Sequence, residues 1–200
     1  MDKDFGLSVR PEIIELAKSV IGDEEMIIAN KLSACFFVDE QKRECAIGNL
    51  QSIIGSKPKR PVYYLNYEIG YLPEDTRNVV RYAGDFVDQI VKHCAYEKGR
   101  FLLKTNFRAL RKSLGPNLKN LKGVLPEDLI NKLTKFNDLI YVQAKHSWDV
   151  GSRPHLFSAA EAVLVCFMVK KFAGDLAPFS LEVQLYLDNK VYEYHNTDPA

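Results

Sequence analysis

The chain has 200 residues, 46% of them hydrophobic and 26% charged, a balance that excludes wholesale disorder and a length that can bury a core without metal or disulfide. Its longest unbroken apolar run, Ala162 to Val169, is far shorter than the roughly 20 residues a membrane-crossing helix needs. The net charge of +1 hides an asymmetry: residues 98–122 hold eight Lys or Arg and no acid, whereas residues 1–40 hold nine acids and four bases, so one part of the chain is suited to anions.

In chain order, Ile13, Ile14, Ala17, Val20 and Ile21 recur at helical spacing behind Pro11, a favoured first-turn residue. Gly22 interrupts, and the pattern resumes through MIIANKLSACFFV and ECAIGNLQSII, which predicts two or three helices before Gly55. KPKRP, residues 57–61, reads as a loop. The aromatic stretch VYYLNYEIGYLP reads as an extended connector. Behind Pro73-Glu74-Asp75, the residues Val79, Val80, Ala83, Phe86, Val87, Ile90, Val91 and Cys94 form one apolar stripe, so a long amphipathic helix is expected up to Gly99.

A basic helix is expected over Phe101 to Leu110, then a break at Leu114-Gly115-Pro116. Pro126-Glu127-Asp128 is helix-start chemistry, and Leu129, Leu133, Phe136, Ile140 and Ala144 share a face of the helix that follows. Ser158 and Glu161 match a capping box, and AAEAVLVCFMVKKFAG is apolar nearly all round, which places it in the centre of the core with Gly174 as its cap. In the tail, alternation at Val183, Leu185 and Leu187 and the Asp188-Asn189 turn allow a short hairpin over 180–196. The expectation is a mainly α, multi-helix bundle in a single domain over 1–200, with N-terminal helices in 1–60, a core in 73–175 and room for that C-terminal β-hairpin. Cys35, Cys45, Cys94 and Cys166 lie far apart with no C-x-x-C pair and read as buried free thiols.

There is no Gly-rich phosphate loop, no H-E-x-x-H, no G-x-S-x-G and no Cys/His cluster at ligand spacing, so no metal or other cofactor is expected. The stretch SLGPNLKNLKGVLPEDLINKLTKFNDLIYVQAKH, residues 113–146, with its "LG" loop, "LPEDL" helix start and Ala144-Lys145-His146 helix end, resembles the HEPN superfamily of small helical bundles. The likeness spans the region from Thr76 to Gly174. In active members a late helix carries an Arg a few residues ahead of a His, and the pair cleaves RNA without metal. The resemblance implies that role for His146. The positions where the Arg would stand are Leu139, Ile140 and Tyr141.

General acid–base cleavage needs a group titrating near the working pH and another that holds charge on the phosphate. Arg153 and His155, in the turn after His146, are the candidates to complete such a set. The same junction also reads as helix-end chemistry: Lys145 and His146 favour the negative end of the helix dipole, Trp148 packs on a neighbour, and Gly151 and Pro154 end the helix.

Lys104, Arg108, Arg111 and Lys112 recur at helical spacing and, with Lys145, are the candidate anion or nucleic-acid contacts. Mixed signs are the rule on an ordinary solvated face. His93 and His195 read as packing or surface residues. The leading expectation is a non-catalytic HEPN-like domain in the cytoplasm that binds RNA or another polyanion, a nucleotide or a protein partner. The alternatives are a ribonuclease using His146 and a scaffold that forms a homodimer. No membrane partner is expected, since no apolar run is long enough to cross a bilayer, and the acids and missing apolar core of the N-terminal residues argue against a secretory signal.

Overall fold

The computed structural model describes residues 8–55, 60–102, 114–146, 157–181 and 183–184, and the regular elements among them are helices. They are α1 (Pro11–Cys35), α2 (Glu40–Ile54), α3 (Arg60–Ile69), α4 (Thr76–Leu102), α5 (Leu114–Asn120), α6 (Glu127–Phe136), α7 (Val142–His146) and α8 (Ala159–Leu176). The protein is therefore a mainly α, multi-helix bundle. None of the described helices is long and apolar enough to cross a membrane.

The most apolar helix, α8, is also the most enclosed. Every residue from Ala159 to Val169 is buried, so neighbours must surround it, and α1 and α4 pack along it with α2 beside them. Its first turn is held by the expected capping box: Glu161 N–H donates to Ser158 Oγ at 3.1 Å, and Ser158 N–H donates to Glu161 Oε2 at 3.1 Å. Against α8 lies the α4 stripe, in which all eight predicted apolar residues are buried.

Gly22 breaks α1 into two helical halves, with φ 79° and ψ 178°, a conformation open in practice only to glycine. The break bends the chain so that Ile13, Leu16, Ala17, Val20 and Ile21 before it, and Met26 and Ala29 after it, all reach the core.

The helix from Glu127 is continuous to His146 but changes winding at Asn137–Tyr141, which form a π turn between α6 and α7. The predicted face, Leu129, Leu133, Phe136, Ile140 and Ala144, is buried, and Phe136 meets Phe172 of α8 edge to face at 5.5 Å. The wider turn also brings Tyr141 inward beside Ile140.

Several boundaries differ from expectation. α3 begins at Arg60, inside the expected KPKRP loop, and the aromatic stretch is helical to Ile69 and then turns, rather than extended, because Val62, Leu65, Ile69 and Leu72 are buried at helical spacing beneath the tyrosines. Gly99 does not end α4, which runs on to Leu102. Leu114-Gly115-Pro116 opens α5 instead of breaking the pattern, since a proline in the first turn removes an N–H that would have no helical partner. Gly174 lies inside α8, whose cap is Ala177.

At the start of the suggested hairpin, Leu181, Val183 and Gln184 are helical: Val183 N–H donates to Ser180 Oγ at 3.2 Å and Gln184 N–H to Ser180 O at 3.1 Å. The rest of that segment, residue 182 and everything from 185 on, lies outside the described residues, as do Trp148, residues 103–110 of the expected basic helix and all but Arg60 and Pro61 of KPKRP. All four cysteines are free, but only Cys94 and Cys166 are buried; Cys35 is partly covered and Cys45 exposed.

Candidate functional site

The C-terminal end of α7 faces the N-terminal end of α8, and residues from α1 and α4 join them. Arg10, just before α1, donates from its main-chain N–H (3.0 Å) and its Nε (2.8 Å) to Glu161 Oε1, and its Nη1 donates to Gln143 Oε1 at 2.7 Å. Its guanidinium also lies 4.8 Å from the centre of the Phe157 ring. Glu161 is only 3% exposed, so Arg10 and the first-turn N–H groups of α8 together neutralise a buried carboxylate.

From α4, Thr76 Oγ1 donates to Phe157 O at 2.6 Å, and the Arg77 guanidinium approaches Ala144 O, one of the last carbonyls of α7, at 3.4 Å. His146 is the final residue of α7. Its side chain lies outside the described set, as do Arg153 and His155, and Lys104, Arg108, Arg111 and Lys112 of the basic segment. The described arginines at this junction, Arg10 and Arg77, bond to Glu161, Gln143 and the end of α7.

One turn back, the π segment faces α4. Tyr141 Oη donates to Asp85 Oδ1 at 2.7 Å, and Lys145 Nζ donates to Tyr141 Oη at 2.9 Å while lying 4.9 Å from the ring centre. Lys145, expected among the anion contacts, is thus tied to the neighbouring phenol. Burial, and then the bond to Asp85, push the Tyr141 hydroxyl well above its ordinary titration range. This phenol is a hydrogen-bonding strut and stays protonated.

Below it Asp88, buried, pairs with Lys92, and its Oδ1 has no hydrogen-bond partner. Burial raises the Asp88 carboxyl above its usual range, with Lys92 opposing. Among the described residues no group of three or more His, Cys, Asp or Glu is placed to hold a metal ion.

A second feature was not read from the sequence as a site. Tyr63, Tyr64 and Tyr67 of α3 and Tyr71 just after it are 54%, 42%, 52% and 48% exposed. A groove of about 480 Å³ runs among Gln51, Tyr63, Asn66, Tyr67, Gly70 and Tyr71. Its frame is cross-tied: Asn66 Nδ2 donates to Gln51 O and Gly55 O, both at 3.0 Å, and Gln51 Nε2 donates to Asn66 O at 3.0 Å.

Tyr64 stacks on Tyr82 of α4 (5.6 Å, 22°), and the Arg81 guanidinium lies 5.6 Å from the Tyr82 ring centre. Beside them, burial and then Asp75 raise the Glu68 carboxyl, with Arg81 opposing. The signal was the tyrosine spacing, one, three and four residues apart, which is helical; reading the segment as extended scattered those rings over two faces.

At the described end of the basic run, α5 buries Leu114, Asn117 and Leu118, and Leu121 follows, so Lys119 and Lys122 are turned outward. Neither has an acidic partner among the described residues. No protein-family model matches this chain, and no curated protein and no solved structure matches it.

Proposed function

We propose that this chain is a non-catalytic, HEPN-like helical domain that binds RNA. The observation that carries the reading is the end of the acid-free basic run, where buried leucines of α5 and its following turn hold Lys119 and Lys122 outward, with no acidic partner among the described residues. Lysines displayed in this way contact a phosphate backbone without reading its sequence.

The non-catalytic part rests on Tyr141. It stands where the resemblance would put an arginine, and it is buried between Asp85 and Lys145. A phenol held in that way offers no cation to a reacting phosphate.

The test is fluorescence anisotropy with a labelled single-stranded RNA, titrated at salt concentrations from about 50 mM to about 200 mM. The expected result is measurable binding at low salt that weakens by an order of magnitude or more over that range. No binding at the lowest salt overturns the reading. Shortening of the RNA by the wild type but not by His146→Ala replaces it with the ribonuclease reading.

A further inference from the structure

We propose that the exposed tyrosine face of α3 is a stacking site for the unpaired bases of single-stranded RNA; the inference deepens the RNA-binding reading and rests on it. Four phenol rings with about half their surface in water are not explained by the fold, because Val62, Leu65, Ile69 and Leu72 already supply the buried contact of this segment. The rings are neighbours: Tyr63 meets Tyr64 edge to face at 5.7 Å, and Tyr67 meets Tyr71 at 5.2 Å with their hydroxyls 2.5 Å apart. The space between them, about 480 Å³, falls within the range of small-ligand clefts, about 300 to 1,000 Å³.

Two further observations favour a base as the occupant. The reciprocal hydrogen bonds from the Gln51 and Asn66 side-chain amides to each other's backbone carbonyls fix the wall of the groove before anything binds, so little ordering is required of the protein on association. At one side the exposed Arg81, the half-buried Tyr82 and the exposed Tyr64 form a ladder of cation and stacked rings, the pairing of aromatic faces and positive charge that single-strand binders use along a backbone. A duplex keeps its base faces stacked on each other, so the site selects unpaired strands.

The experiment compares a labelled RNA single strand of about twelve nucleotides with a duplex of the same length, at one low salt concentration, for the wild type, Tyr67→Ala, Tyr67→Phe and Tyr71→Ala. Circular dichroism verifies the fold of each, and Tyr71, in the turn after α3, remains informative if a change within the helix disturbs it. The expected result is tighter binding of the single strand than of the duplex, roughly ten-fold weaker binding for each alanine variant, and near wild-type binding for Tyr67→Phe.

Wild-type affinity in both alanine variants, or equal losses in Tyr67→Ala and Tyr67→Phe, overturns the stacking site and leaves the RNA-binding reading standing. Equal binding of strand and duplex also overturns it. No binding of either RNA by the wild type removes the RNA-binding reading, and the stacking site with it.

Discussion

The ring of Tyr141 fills the space that a side chain at position 84 would need: a β-carbon on Gly84 would lie 2.1 Å from Tyr141 Cδ2. The π turn carries Tyr141 against α4, and the missing side chain on α4 lets the ring come close enough for its hydroxyl to reach Asp85. The two helices are registered at this point.

Gly84→Ala should therefore destabilise the protein by about 3 kcal/mol, since neither a ring nor two packed helices can yield that far without strain. With Tyr141→Ala already present the same change should cost nothing or stabilise by up to about 1 kcal/mol, the ordinary advantage of alanine over glycine in a helix. Urea denaturation of the four proteins in the cycle measures the coupling, and additive effects would show that the contact is not made.

Arg10→Met should cost about 3 kcal/mol, because it leaves the Glu161 carboxylate buried without its cation. Arg10→Lys should recover only part of the loss. One ammonium cannot bond Glu161 and Gln143 in the geometry that Nε and Nη1 use. A loss below about 1 kcal/mol for Arg10→Met would place the pair among weak surface bridges.

Asp88 should make stability fall as pH rises. Its folded-state carboxyl titrates above the ordinary 3.8, chiefly from burial, so the folded protein binds more protons than the unfolded chain between those two values and loses stability as pH climbs through that window. Lys92 and Lys145 oppose this shift, and Asp85 adds to it. The melting temperature of Asp88→Asn minus that of the wild type should become more positive from about pH 4 upward. A difference that stays level or becomes more negative would contradict the argument.

Lys119→Gln with Lys122→Gln should leave the fold intact, both side chains being exposed. If both contact phosphate, the slope of log affinity against log salt should become shallower by about 1.4, at about 0.7 per contact to a single strand. An unchanged slope would show that RNA lies elsewhere.

Much of this bundle was legible in local pattern. The α4 stripe, the capping box of α8 and the Pro126 helix start depend on residues within a turn or two of each other, and periodicity and capping chemistry act at that range. The tyrosine face was misread for a local reason: aromatic and β-branched residues lean toward strands, and the buried Val62, Leu65, Ile69 and Leu72 beneath them decided for a helix.

The sequence by itself determined the class of fold and its central helix, since a segment as apolar as α8 must be enclosed wherever it goes. It also determined where the bases lie along the chain, though not what faces them. The tertiary structure decided the rest. Arg10 and Glu161 stand 151 positions apart and Tyr141 and Asp85 stand 56 apart, and no spacing rule links residues that meet only when helices pack. The junction of α7 and α8 was read from His146 and its neighbours in sequence. Its described bonds come instead from Arg10, Thr76 and Arg77, brought there by the packing of α1 and α4 around α8.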